Sequence, residues 1–298
     1  MTAITVLGLG AMGSRIAAVL AASPDHTVTV WNRSSAAAQA LAATAPVAIA
    51  DTARQAVATA DMVISMVTDD AASGALWLDH NTGVLAAIAD GAVAIEASTI
   101  TKAMATELGA AAAAAGVAFL EAPVVGSRPQ AEAGALFVLV GGDEGVLDRV
   151  RPVIDTYASA IRPVGPVGNA ATMKLAINGL FGIQVAAYGE MVGLLERSDV
   201  PSDAAVEILS ALPITSPGLQ RILGLVASRD FAPNFPVSLV AKDFGYLQAL
   251  AAEADATVPL VDATSAVYAA GAGGPEAELD IAGIAARYLS GADTQAVG

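Results

Sequence analysis

The stretch Ile4-Thr5-Val6-Leu7-Gly8-Leu9-Gly10-Ala11-Met12-Gly13-Ser14-Arg15-Ile16-Ala17-Ala18-Val19-Leu20-Ala21-Ala22 decides the fold. Four apolar residues read as a short strand, three glycines as a turn, and the rest as a helix. Each glycine has a physical role in this context. Gly8 allows a tight turn, Gly10 lets a pyrophosphate approach the backbone, and Gly13 allows close helix–strand packing. The N–H groups and dipole at the helix start then face an anion. Gly8, Leu9, Gly10, Ala11, Met12 and Gly13 are therefore predicted to bind a dinucleotide. An ordinary βα turn is the competing reading, and the strands that follow argue against it.

Working outward, Thr27–Trp31 is a second strand and ends in Asn32-Arg33-Ser34. An acidic residue here would accept the hydrogen bonds of an NAD ribose. None is present. Arg33 suits a 2′-phosphate and Ser34 can donate to it, so NADPH is favoured over NADH, with Asn32, Arg33 and Ser34 as cofactor residues. The alternation continues through 46–49, a helix capped by Asp51, a strand over 61–67 and another over 92–96. Ligands of parallel sheets sit beyond the strand carboxyl ends. This places Met66, Val67, Thr68, Ser98 and Thr99 beside the ribose and nicotinamide, while Ser98, Thr99 and Thr101 also suit the cap of a 102–115 helix. The turn Val125-Gly126-Ser127 offers backbone N–H groups, and Ser127 a hydroxyl, to an anionic substrate group. A helix over 143–157 and a strand near 160–163 close the pattern.

From Gly168 the chain reads as helices: one to about Arg197, then 203–211, 217–228, 243–254, 259–270 and 280–289. The expected fold is α/β, an N-terminal doubly wound, Rossmann-like sheet over 1–164 followed by an all-α domain over 165–291, with a disordered tail at 292–298. The stretch 165–178 begins the long helix and places Lys174 and Asn178 one turn apart on one face. Leu175–Leu195 is apolar on more than one side, which predicts a homodimer through the helical half.

Composition narrows the chemistry. The net charge of −15 argues against nucleic acid and anionic membrane as partners. With no cysteine and only His26 and His80, thiolate chemistry, a histidine metal site and a Ser-His-Asp triad are disfavoured. The early apolar run lacks a basic leader and is interrupted by glycines and Arg15, so it does not read as a signal peptide. No run of transmembrane length stands out, and a cytoplasmic protein is expected. Only three of the fourteen basic residues are lysines: Lys102, Lys174 and Lys242. Arginine does not give up its proton in proteins, whereas a partly buried lysine can. Lys102 suits a solvated helix start. Lys174 lies on an apolar helix, and Lys242 opens Lys242-Asp243, where Asp243 suits a helix cap.

The residues 8–13, the run Ala122-Pro123-Val124-Val125-Gly126-Ser127 with Ala131 and Gly134, the stretch 165–178 and Lys242-Asp243 together resemble the β-hydroxyacid dehydrogenases. The resemblance covers almost the whole chain and is nearest the NADPH-using glyoxylate/succinic semialdehyde reductase branch. It implies Lys174 as catalytic acid/base, Asn178 as a substrate-holding catalytic partner and Lys242 beside the cofactor. It also implies Ser98-Thr99 at the nicotinamide and substrate, and Val125, Gly126 and Ser127 on the substrate carboxylate. Val125 replaces the family's loop serine, and Ala170 stands where a second glycine is common. The implied substrate is a small carbonyl compound or hydroxy acid. Two rival readings are an imine reductase, which usually carries Asp or Tyr at the Lys174 position, and a non-catalytic NADPH-binding module.

Overall fold

The computed structural model describes residues 1–290; positions 291–298, which include the expected tail at 292–298, lie outside them. Two compact units divide at Lys174/Leu175. This division falls inside the helix that begins at Asn169.

The first unit alternates strand and helix: β1 (Thr2–Leu7), α1 (Gly13–Ala21), β2 (His26–Trp31), α2 (Ser35–Ala42), β3 (Val47–Ile49), α3 (Ala53–Val57), β4 (Met62–Ser65), α4 (Asp70–Leu78), β5 (Val93–Glu96), α5 (Lys102–Ala114) and β6 (Ala118–Glu121). After these come β7 (Val124–Val125), α6 (Arg128–Glu132), β8 (Leu136–Gly142), α7 (Glu144–Ile154), β9 (Ala158–Gly165) and α8 (Asn169–Arg197). Strands β3-β2-β1-β4-β5-β6 run parallel in that spatial order, the arrangement of a dinucleotide-binding sheet. Strand β8 is antiparallel to β6 and β7 and parallel to β9.

The central strands β4 and β5 are buried at every residue, as strands covered on both faces must be. Alternation divides them between two cores. Ile4, Val6, Ile64 and Ile95 pack with Ile16 and Leu20 of α1, while Leu7, Val63 and Ala94 pack with Trp77 and Leu108. Register also aligns the strand ends. Trp31, Leu7, Ser65, Glu96, Glu121 and Gly141 are successive partners across the sheet. Every segment of the first unit assigned above to the cofactor thus leaves the sheet within a few residues of one line. Thr52, not Asp51, caps α3: its side chain accepts from Gln55 N at 3.2 Å, and Gln55 returns a bond to the Thr52 amide, completing a reciprocal cap.

The second unit contains the rest of α8, then α9 (Ser202–Ala211), α10 (Pro217–Ser228), α11 (Val237–Glu253), α12 (Pro259–Ala272) and a 3-10 segment over Ile281–Arg287. Helix α11 starts directly after Pro236, so Lys242 and Asp243 lie inside it and Asp243 is not its cap. The final segment is 3-10 rather than α-helical, capped by Asp280, which accepts from Ala282 N at 3.1 Å.

By length and composition α8 meets the measure of a membrane span, with a mean hydropathy of 1.2 and 39% of the window buried. Lys174, Asn178, Gln184 and Glu190 interrupt it, so it is not an unbroken apolar run. Its glycines account for one apolar side. A Cβ at Gly179, Gly182 or Gly193 would overlap Leu247, Phe244 or Tyr288, and one at Gly189 would press against Ala285. Tyr268 stacks on Phe244 at 5.3 Å and donates to the Gly182 carbonyl at 3.1 Å. Other α8 residues, Leu180, Met191 and Leu194, are exposed.

Candidate active site

The glycine turn is built as its sequence requires. Gly8 has φ +92°, and a Cβ there would overlap the Met66 carbonyl at the end of β4. A Cβ on Gly13 would overlap the Gly8 carbonyl, whereas one on Gly10 would meet nothing within 4 Å. Open space lies where a phosphate must approach. No side chain caps the first turn of α1, which keeps its leading end available to an anion. Arg33 and Ser34 are exposed, Ser34 spends no side-chain bond on capping α2, and Arg33 forms no ion pair among the described residues. The glycine turn and the start of α1 fit the pyrophosphate of a nicotinamide dinucleotide.

Two predicted ligand residues serve as supports in this structure. Asn32 Oδ1 accepts from Leu9 N at 2.9 Å, and its amide donates to Ser34 O at 3.0 Å, so it braces the glycine turn against the end of β2. Ser98 is buried and its hydroxyl accepts from Val67 N at 2.8 Å, tying the end of β5 to that of β4. Beneath it lies Glu96, fully buried. Ser73 Oγ and Trp77 Nε1 donate to Glu96 Oε2 at 2.5 and 2.8 Å, and Ser98 N donates to Oε1 at 2.8 Å. Thr99 follows, half-buried, and Thr101 caps α5 by accepting from Met104 N at 3.1 Å.

The loop assigned to the substrate follows β6. Val125 pairs with Phe137 of β8, Gly126 has φ +135°, and Ser127 begins α6. Both the amide and the hydroxyl of Ser127 donate to Gln130 Oε1, at 3.0 and 2.7 Å, so this serine closes the helix start. Arg15 links α1 to α6 through Glu132 at 2.6 Å.

Glu121, at the end of β6, is 1% exposed. Its Oε1 accepts from Gly168 N at 2.6 Å and Ala170 N at 2.7 Å, and its Oε2 from Ala171 N at 3.2 Å. Burial pushes this carboxyl upward in pKa, opposed by the three backbone bonds. A Cβ at Gly141, its partner in the sheet, would overlap Oε1. The carboxylate occupies the space a side chain there would need.

Lys174 and Asn178 both lie on α8, one turn apart as expected. Within the second unit, Asn178 Nδ2 donates to Asp243 Oδ2 at 2.7 Å, and Lys242 Nζ lies 3.1 Å from Asp243 Oδ1. The Lys242 ammonium also sits 4.9 Å from the centre of the Tyr246 ring. The buried Asp243 therefore joins Asn178 to Lys242 across 64 positions of sequence (242 less 178).

Sequence reasoning missed Glu96 and Glu121 as organisers of the strand ends and misread Asp243 as a cap. An acidic residue closing an otherwise apolar strand was the available signal for the first two.

Comparison with known proteins agrees with this construction. Residues 3–165 match the NAD binding domain of 6-phosphogluconate dehydrogenase, and residues 168–288 match the NAD-binding model of NADP-dependent 3-hydroxyisobutyrate dehydrogenase. NAD-dependent L-serine dehydrogenase of Pseudomonas aeruginosa is 32% identical over 275 residues, 90% of this chain and 91% of that protein. Glyoxylate/succinic semialdehyde reductase 1 of Arabidopsis thaliana is 28% identical over 262 residues, 88% of this chain and 90% of the reductase. The structure of Mycobacterium tuberculosis 3-hydroxyisobutyrate dehydrogenase with L-serine superposes with a TM-score of 0.85 at 31% identity, covering 96% of this chain and 98% of that one. With both halves matched and the glycine turn, strand order and α8 in place, the chain belongs to the β-hydroxyacid dehydrogenase family of NAD(P)-dependent oxidoreductases acting on CH–OH groups.

Proposed function

We propose that this enzyme uses NADPH to interconvert a short aldehyde or keto acid and its hydroxy acid, with Lys174 carrying the proton. The observation behind this reading is Lys174 and Asn178 one turn apart on α8, with the Asn178 amide fixed by Asp243. The names of the relatives, an L-serine dehydrogenase and a glyoxylate/succinic semialdehyde reductase, support the substrate class. Exposed Arg33 and Ser34, with no acid after β2, support NADPH.

The turn 8–13, Arg33, Ser34, residues 66–68, Thr99 and Lys242 would hold the cofactor. When bound, the nicotinamide supplies or accepts the hydride at the substrate carbon. The Lys174 ammonium donates a proton to the developing alkoxide in reduction, and the neutral amine takes it back in oxidation. Asn178 commits one N–H to Asp243, which fixes the carboxamide plane that holds the substrate oxygen. Ser98 and the Val125–Ser127 loop orient the rest of the substrate, with Val125 adding an apolar wall.

An NADPH-oxidation screen with glyoxylate and succinic semialdehyde, paired with NADP+ reduction by 3-hydroxyisobutyrate and L-serine, tests the reading. Lys174→Ala should lower kcat about 10²–10⁴-fold with cofactor Kd within about twofold; retention of most turnover would refute the role of Lys174. Preference for NADH would overturn the Arg33 argument, turnover of a cyclic imine alone would make the enzyme an imine reductase, and binding without turnover would make it a cofactor-binding module. We also propose a homodimer, on the exposed Leu180, Met191 and Leu194 of α8 and the exposed Ile208 and Ile214 of the same unit. A monomer mass by light scattering would refute it.

A further inference from the structure

The buried carboxylate of Glu121 satisfies the start of α8 with unusual completeness. Helices begin with amides that lack an internal acceptor. Here Gly168, Ala170 and Ala171 donate to the two oxygens of Glu121, and Asn169 donates to the Pro166 carbonyl at 3.1 Å. Regular helical bonding is under way by Thr172, whose amide donates to Gly168 O at 3.1 Å. Two oxygens of one rigid group, bound at three points, fix both the rise and the rotation of the first turn.

The clamp is itself held from three directions. Glu121 ends a paired strand, Gly141 leaves room for its side chain, and Gly168 reaches it with φ +99°. Lys174 follows Ala170 and Ala171 by four and three residues, which places it on the same face one turn further along. On the other side of Glu121, four residues of chain lead to Val125 of the substrate loop. All of these residues belong to the first unit.

We propose that Glu121 is a positioning residue for Lys174, setting the height and rotation at which α8 presents its amine. This rests on the reading of Lys174 as proton carrier. An ordinary cap contributes stability alone. A positioning residue also controls turnover, because a displacement of about 1 Å in a reacting group can cost roughly 10²-fold in rate.

Glu121→Gln keeps the volume but replaces one acceptor with a donor facing backbone N–H groups. Its kcat should fall about 10–100-fold, with cofactor Kd and substrate KM within about twofold. Glu121→Asp, which keeps the charge on a shorter arm, should recover to within about tenfold of wild type. Hydrogen exchange should quicken at Ala170 and Ala171. A well-folded Gln variant with kcat within twofold of wild type overturns the proposal.

A readout without substrate separates this from the functional reading. The three lysines give three Cε signals under [13Cε]lysine labelling. In Glu121→Gln the Lys174 signal should move while that of Lys242 stays, whether or not any substrate is turned over. An unmoved Lys174 signal overturns the proposal. Should neither variant fold, exchange in the wild type decides: protection at Ala170 and Ala171 matching the middle of α8 supports the clamp, and exchange like that of a frayed helix end overturns it.

Discussion

Two polar clusters, one at the carboxyl edge of the sheet and one on the helices of the second unit, are wired in different ways. Along the sheet edge, side chains grip mostly backbone: Asn32 holds Leu9, Ser98 holds Val67, and Glu121 holds three amides of α8, while Glu96 holds the Ser98 amide together with the side chains of Ser73 and Trp77. Between α8 and α11, side chains grip one another: Asn178 to Asp243 and Asp243 to Lys242. A bond to backbone fixes the path of the chain and persists only with it. A bond between side chains adjusts through rotamer changes when a substrate or cofactor competes for one partner. The first cluster should therefore be read mainly through stability and geometry, the second mainly through affinity and rate. Asp280 shows that the division follows the cluster and not the unit, since it accepts from the amides of Asn234, Phe235 and Ala282.

Breaking each cluster sharpens the contrast. Glu96→Ala should have the larger effect, because it strips the acceptor from Ser73 and the Ser98 amide and leaves Trp77 only the Ser65 hydroxyl at 3.1 Å. Orphaned buried donors cost roughly 1–3 kcal/mol each, offset by removal of a buried charge, so a loss of about 3 kcal/mol in unfolding free energy is expected by urea titration. A loss below about 1 kcal/mol would break the comparison. Asp243→Asn keeps the shape while removing the charge that faces Lys242. It should lower kcat/KM about tenfold, or about 1.4 kcal/mol in transition-state terms, with a melting temperature within about 2 °C of wild type. A large fall in melting temperature with intact kcat/KM would reverse its assignment.

Much of this was legible because it is local. The alternation of strand, glycine turn and helix identified the dinucleotide-binding sheet, and Lys174 and Asn178 lie on one helix as their spacing requires. What was not legible depends on register and on contacts distant in sequence. Glu96 and Glu121 look like ordinary polar ends of strands until the sheet is assembled and brings them side by side. Asp243 has the sequence context of a cap, but Pro236 begins the helix earlier and turns the carboxylate into an internal anchor for Asn178. Ser127 and Asn32 carry hydroxyl and amide groups suited to a ligand, and here they close a helix and brace a turn. Donor chemistry is visible in a sequence, whereas competition for the donor is visible only in three dimensions.

The facing of Glu121 and Gly141 has a consequence for engineering. Any residue larger than glycine at 141 collides with the carboxylate, and an acid shorter than glutamate at 121 holds the amides of α8 less closely. The two positions therefore act as one locus with a joint alphabet. Single-site libraries at either will return mostly losses, and improved combinations such as a shorter acid opposite alanine become reachable only when both codons are varied together.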